Sequence, residues 1–178
     1  MSHRLFVALR PPPEVRDCLI DCMEGLSARW QDDDQLHLTL RYIGEVDRHV
    51  ANDLAEALTD ITAPMFDVTL RGTGVFVRKG RAHTLWAGVV ENEPLVRLQR
   101  KIERWCQQAG IEPEHRKFAP HVTIARLNAS SGPVDGFLAQ HDDTPFGSWK
   151  AESFDLYESY LGPHGSRYER VVAYPLAR

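Results

Sequence analysis

Leu36-His37-Leu38-Thr39-Leu40-Arg41-Tyr42-Ile43-Gly44 is answered, nearly half the chain later, by Phe118-Ala119-Pro120-His121-Val122-Thr123-Ile124-Ala125-Arg126. Both stretches contain His-x-Thr-x with an aliphatic residue at each x. Side chains alternate along an extended strand, so His37 and Thr39 project from one face while Leu38 and Leu40 project from the other. The same parity applies to His121 and Thr123. Each copy offers an imidazole and a hydroxyl to one side and anchors itself through aliphatic residues on the other. Two such strands opposed across a groove would gather two histidines and two hydroxyls around one small anionic group. The recurrence predicts two similar halves facing each other.

Working outward from these strands, Leu5 to Leu9 reads as a buried strand. Pro11-Pro12-Pro13 stops it and opens a helix at about Glu14 that should run to near Trp30, with Val15, Leu19, Cys22 and Leu26 on its apolar stripe. Asp32-Asp33-Asp34 reads as a solvated loop. Val46, Val50, Leu54, Leu58 and Ile61 recur at helical spacing up to about Thr62, and Leu95, Leu98, Ile102, Trp105 and Ala109 mark a third helix ended by Gly110. Residues 66–70 and 84–90 alternate as strands joined by a Gly- and Arg-rich connection. Asn128 to Asp143 reads as a loop with a short helical turn around Gly136 to Gln140. Ser153 to Leu161 and Tyr168 to Tyr174 form a final hairpin turned at Gly162-Pro163-His164-Gly165. The order β-α-β-α-β-β-α-β-β-β predicts a duplicated α+β fold, with antiparallel or mixed sheets around a central cleft and helices outside.

The chain has 178 residues, 43% of them hydrophobic and 26% charged, and a net charge of −4. That length suits one domain, or two fused lobes, with no cofactor needed to complete the core. The negative balance excludes holding a long phosphate backbone by bulk attraction, so a phosphate ligand must be held by local groups and should be short, terminal or small. Cys18, Cys22 and Cys106 cannot pair evenly and lack zinc-finger spacing; they read as core filler in a reducing cytoplasm. The start of the chain, Met1-Ser2-His3-Arg4, runs straight into strand-like sequence and offers no signal h-region or membrane span.

Two histidine motifs are open to several chemistries. A metal site needs a third ligand, often a carboxylate, and no H-x-x-x-H, H-E-x-x-H or H-x-D pattern accompanies them. No G-x-S-x-G nucleophile elbow and no G-x-x-x-x-G-K-[ST] phosphate loop is present. Metal-free phosphodiester cleavage uses what is there. One imidazole takes a proton from the attacking oxygen, another gives one to the leaving oxygen, and threonine hydroxyls donate to non-bridging oxygens. Arg41, four residues after His37, shares its face if the strand is regular. Arg126, five after His121, falls on the wrong face unless a bulge re-aims it. His3, His49, His83, His115, His141 and His164 read as surface or structural groups.

The two motif stretches, together with Arg4-Leu5-Phe6-Val7-Ala8-Leu9, Leu156-Tyr157-Glu158-Ser159, Gly165 and Tyr168, resemble the two-histidine phosphoesterase superfamily. Within it, they are most similar to the bacterial and archaeal RNA 2′,3′-cyclic phosphodiesterases, also called 2′-5′ RNA ligases. The resemblance implies a bilobal, pseudo-twofold fold over residues 1–178, with one motif per lobe at 37–40 and 121–124. It implies hydrolysis of a terminal RNA 2′,3′-cyclic phosphate to a 2′-phosphate with neither metal nor nucleotide cofactor, and 2′-5′ ligation as the reverse reaction. It makes His37 the proton donor and His121 the acceptor, an assignment the residues alone leave exchangeable. Thr39, Thr123, Arg126 and Arg41 are candidate phosphate contacts; Tyr42, Phe118, Tyr157 and Tyr160 are candidates for stacking on a base. The family often carries a basic residue where this chain has Ala119, and Lys117, Arg116 or His115 would have to substitute. A monomer is expected. The alternatives are a phosphodiesterase for 2′-5′-linked oligonucleotides or small cyclic nucleotides, and a non-catalytic module that binds RNA ends.

Overall fold

The computed structural model describes residues 1–178. Its elements are β1 (Ser2–Leu9), α1 (Pro13–Asp21), β2 (Arg29–Trp30), β3 (Leu38–Asp47), α2 (Arg48–Leu58), β4 (Phe66–Arg78), β5 (Arg81–Val89), α3 (Glu93–Gln108), β6 (His121–Arg126), α4 (Asp135–Gln140), β7 (Pro145–Ala151), β8 (Ser153–Gly162) and β9 (Gly165–Pro175). Period-two alternation sorts each strand's side chains between two surfaces. On β1, Leu5, Val7 and Leu9 enter the main core beneath the helices, whereas Phe6 and Ala8 join Tyr157 in a small cluster on the opposite face.

The strands pair antiparallel throughout, in the order β7-β4-β5-β6-β3-β1-β8-β9. The two sheets expected from the motif repeat are halves of this one sheet. β7-β4-β5-β6 and β3-β1-β8-β9 meet at the motif strands, through the single register pair Leu38↔Val122. Beyond that pair β3 and β6 diverge. β2 then takes over the edge of β6, with Trp30 against Ala125 and Arg29 against Arg126, so the freed backbone groups are satisfied. Helices bind the halves together: α1 packs beneath β7 of the other half, and α3 packs on α2 and on β3. A carboxylate caps α2, where Asp47 accepts from the Val50 amide, and Asn92 does the same for α3 through Leu95. No helix is long and apolar enough to cross a membrane.

Three expectations are corrected, and one strand is added. The first helix ends at Asp21, and the segment to Trp30 turns through Gly25, at a φ of 84°, to supply β2. Cys18 faces solvent on that helix, while Cys22 and Cys106 are buried. Residues 71–83 are not a loop: β4 and β5 continue through them to a two-residue turn at Lys79-Gly80. Finally, β7 lies between the expected loop, which ended at Asp143, and the strand expected from Ser153, in a stretch for which no element was expected. Its Pro145 and Gly147 are poor strand residues that an edge strand tolerates, and Phe146 anchors it in the core.

Candidate active site

The Leu38↔Val122 pair positions the motif side chains. In an antiparallel ladder it sets Thr123 across from His37 and His121 across from Thr39, all four on the face turned from the core. Leu38, Leu40, Val122 and Ile124, each 2% exposed or less, hold the other face. The histidines are diagonal neighbours, roughly 7–8 Å apart in a regular ladder and further where strands splay.

Each motif strand carries a β-bulge at the same place. β1 opposes Ala8 to Thr39 but Val7 to Arg41, which makes Leu40 the extra residue; β5 opposes Trp86 to Thr123 but Leu85 to Ala125, which makes Ile124 the extra residue. The bulge reverses parity beyond it. Residues five after each histidine, Tyr42 and Arg126, return to the cleft, and residues four after, Arg41 and Ala125, turn inward. The bulge that the sequence reading required for Arg126 is present, and the matching one on β3 overturns the placement of Arg41 beside His37. Arg41 is 6% exposed; it pairs with Glu103 and donates to the carbonyls of Tyr42 and Glu112, a structural anchor away from the cleft. Arg126 lines the cleft, its guanidinium donating to Thr84 Oγ1 at 3.0 Å.

A cavity of about 230 Å³ opens at the divergence of β3 and β6. His37, Thr39, Thr123, Arg126 and Tyr42 are among its twelve lining residues, as are Arg4, Gln35 and Tyr168. His121 stands beside this cavity on the same sheet face. Period-two reading of β1 would have found Arg4 and Phe6, which share the even parity facing the cleft. Gln35 and Tyr168 carry no local signal, because their places depend on the β8–β9 hairpin folding over the 3₁₀ turn Asp33–Gln35. There Gln35 donates to the Ser166 carbonyl at 2.8 Å.

The two imidazoles sit in different surroundings. His37 is 7% exposed and boxed by the rings of Phe6, Tyr157 and Tyr168, all edge-on, with Tyr157 nearest at 4.5 Å between centroids. Burial, reinforced by the Arg10 and Arg16 charges and only partly opposed by the Gln35 carbonyl, lowers its pKa to about 4. Its Nδ1 is buried without a partner in hydrogen-bond geometry, which leaves Nε2 to reach the cleft. His121 packs edge-on against Phe76 at 4.8 Å, and its Nδ1 lies 2.7 Å from the Ala119 carbonyl. A carbonyl only accepts, so Nδ1 carries the hydrogen and Nε2 keeps its lone pair. Desolvation lowers this pKa also, the Ala119 bond opposing and Arg126 assisting.

The remaining candidates stand elsewhere. Tyr157 is buried against His37 and donates to Asp155 at 3.1 Å, so it supports the imidazole and has no free face for a base. Phe118 packs on the main core, and Tyr160 lies under the Arg167 guanidinium. Of the basic residues beside Ala119, Arg116 is turned to Glu114. Neither side chain nor charge at position 119 is needed for its carbonyl to orient His121. No cluster of three or more His, Cys, Asp or Glu side chains is assembled as a metal ligand set.

This pair of imidazoles and hydroxyls across a splayed strand junction is the arrangement of a two-histidine phosphoesterase. The chain belongs to the 2′-5′ RNA ligase superfamily, whose family model matches residues 11–163. The RNA 2′,3′-cyclic phosphodiesterase of Aeropyrum pernix is 34% identical over 150 residues, covering 83% of this chain and 85% of the relative. That of Thermotoga maritima is 30% identical over 173 residues, 93% and 91% of the two chains. The apo crystal structure of Escherichia coli LigT superposes with a TM-score of 0.80 at 27% identity over 99% of both chains. The same protein complexed with 3′-AMP gives 0.81 at 26% over 100% of both. The family resemblance drawn from the motif flanks is borne out, as is the α+β fold class.

Proposed function

We propose that this protein hydrolyses RNA 2′,3′-cyclic phosphate ends to 2′-phosphates without a metal, as a monomeric enzyme of the cytoplasm. In this reading residues 1–178 act as one domain of two pseudo-symmetric lobes, each giving one His-x-Thr-x motif. The activity is that for which the Aeropyrum and Thermotoga relatives are named. The observation that carries it is the unlike pair of imidazoles on one sheet face, one with its Nε2 lone pair held free by a backbone carbonyl. Binding alone requires no second proton-transfer group.

His121 Nε2 takes a proton from water as the water oxygen bonds to phosphorus. The P–O3′ bond breaks, and the departing O3′ takes a proton from His37 Nε2, leaving a 2′-phosphate and a 3′-hydroxyl. Thr39 and Thr123, whose hydroxyls face the cleft, donate to the non-bridging oxygens, and Arg126 balances their charge. His37 is neutral in the empty cleft at pH 7. The phosphate anion itself raises its proton affinity, which shifts His37 toward the charged acid when substrate arrives. The two titrations are coupled through that shared anion, and a bell-shaped pH profile reports the pair. Tyr42, half exposed on the cleft wall, is placed to cover the terminal base.

The test is a short RNA with a labelled 2′,3′-cyclic end, incubated in EDTA with wild type, His37→Ala and His121→Ala. Each variant should lose on the order of 10²–10⁴ in kcat/KM while keeping its fold. Turnover persisting at the wild-type rate in either variant would sink the two-imidazole mechanism. Tight binding without turnover between pH 5 and 9 would instead identify an RNA-end binding module.

A further inference from the structure

The β4–β5 hairpin carries a concentration of charge that the proposed chemistry leaves unused. Between Asp67 and Glu91 the chain has no carboxylate, yet it has Arg71, Arg78, Lys79 and Arg81, in a protein whose net charge is −4. Arg71 faces Asp143 at 3.7 Å, but the other three are exposed at the hairpin tip, where no acidic residue is near in sequence.

Two features of the tip cost stability and retain the charge. Arg78 and Arg81 are direct cross-strand partners, and like charges directly opposed are destabilising. Lys79 holds a φ of 52° and Gly80 one of 73°, the paired positive φ of a tight type I′ turn, where Asn or Asp is favoured at the first position. A lysine is a poor choice for the turn alone.

The tip leads into the candidate active site. A groove of about 410 Å³ runs between Arg78, Lys79, Arg81 and His83. His83 Nδ1 lies 2.7 Å from Thr84 Oγ1, the same hydroxyl that accepts from Arg126. Phe76 bridges the two sites: its ring is 4.8 Å from that of His121 and 6.5 Å from that of His83. Arg78 is one further i, i+2 step along the strand from Phe76, about 7 Å.

We propose that this groove binds the backbone phosphates of the single-stranded RNA upstream of the cyclic end, making an oligonucleotide a better substrate than a cyclic mononucleotide. The inference rests on the RNA-end reading above and adds a second contact to it. Three exposed cations at a tight turn match a flexible phosphate backbone and read no sequence.

The experiment compares a 2′,3′-cyclic mononucleotide with an oligoribonucleotide ending in the same cyclic nucleotide, across a salt series. The proteins are wild type, Lys79→Asn and the double variant Arg78→Ser/Arg81→Ser. Wild type should favour the oligonucleotide several-fold, with a steeper loss of kcat/KM in salt. Each variant should lose that preference while handling the mononucleotide as wild type does, the salt slope flattening by about 0.7 for each phosphate contact removed. Lys79→Asn should keep or raise the Tm, which separates lost charge from lost fold. A preference absent in wild type, or unchanged in the variants, overturns the proposal. Fluorescence anisotropy with a labelled oligoribonucleotide ending in a 2′-phosphate reads the groove independently of turnover. Weaker binding by the variants supports it even where catalysis fails, and equal binding by all three proteins overturns it.

Discussion

His37 illustrates how one residue's surroundings bear on both reaction and stability. Three aromatic rings remove it from water, and burial holds its pKa near 4 where the free side chain titrates at 6.5. The unfolded chain therefore takes up a proton at a pH where the native ring stays neutral. Stability contributed by this difference is intact above pH 6.5 and is lost as pH falls toward 4, by on the order of 3 kcal/mol. Urea midpoints for wild type and His37→Gln, compared at pH 7, 5.5 and 4.5, should show the variant losing less on acidification; parallel curves would contradict the burial argument. The same ring should behave differently once an anion lies beside it. Histidine ring NMR titrations should place His37 near 4 in the free protein and shift it upward when a 2′-phosphate nucleotide is added. Absence of an upward shift would remove the route by which His37 becomes the acid.

At the scale of the strand, the paired bulges at Leu40 and Ile124 decide which arginine serves the cleft. A strictly alternating strand would put Arg41 beside His37 and turn Arg126 away. The extra residue in each strand inverts both placements. Arg41→Ala should then act as a core lesion: two carbonyls lose their donor and Glu103 loses its guanidinium partner, keeping only Gln107 and the Glu114 amide, and the protein should be destabilised by about 1–3 kcal/mol. Arg126→Ala should leave Tm almost unchanged and lower kcat/KM at the cyclic phosphate. Thermal melts with steady-state kinetics on both variants check this, and the reverse pattern would mean that the bulges do not set the face. The histidines and threonines precede the bulges and were legible from alternation alone. Arg126, Tyr42 and the inward turn of Arg41 were not, because a bulge is set by the partner strand's register.

Across the whole molecule, the sheet narrows to one register pair at the motif strands, yet a single cluster of 34 buried residues runs beneath both halves. α1 and α3 each cross to the other half and keep that core continuous. Thermal unfolding should accordingly be one cooperative transition, with calorimetric and van't Hoff enthalpies in agreement; two separable transitions would mean that the lobes are independent. The narrow junction has a functional counterpart. Divergence of β3 and β6 opens the cavity between the motifs while the covered side stays closed.

Composition and period-two alternation by themselves determined the α+β class, the two motif strands, the shared face of each His-Thr pair and the proton-transfer chemistry those groups suit. These properties follow from neighbours a few residues apart, where strand geometry acts directly. Tertiary structure alone decided that His37 is buried and His121 carbonyl-bonded, that Arg126 and not Arg41 reaches the cleft, and that Tyr157 supports a histidine and does not meet a base. Each of those outcomes depends on register and packing between strands far apart in the chain. Those contacts are held by the common core, and no local pattern records them.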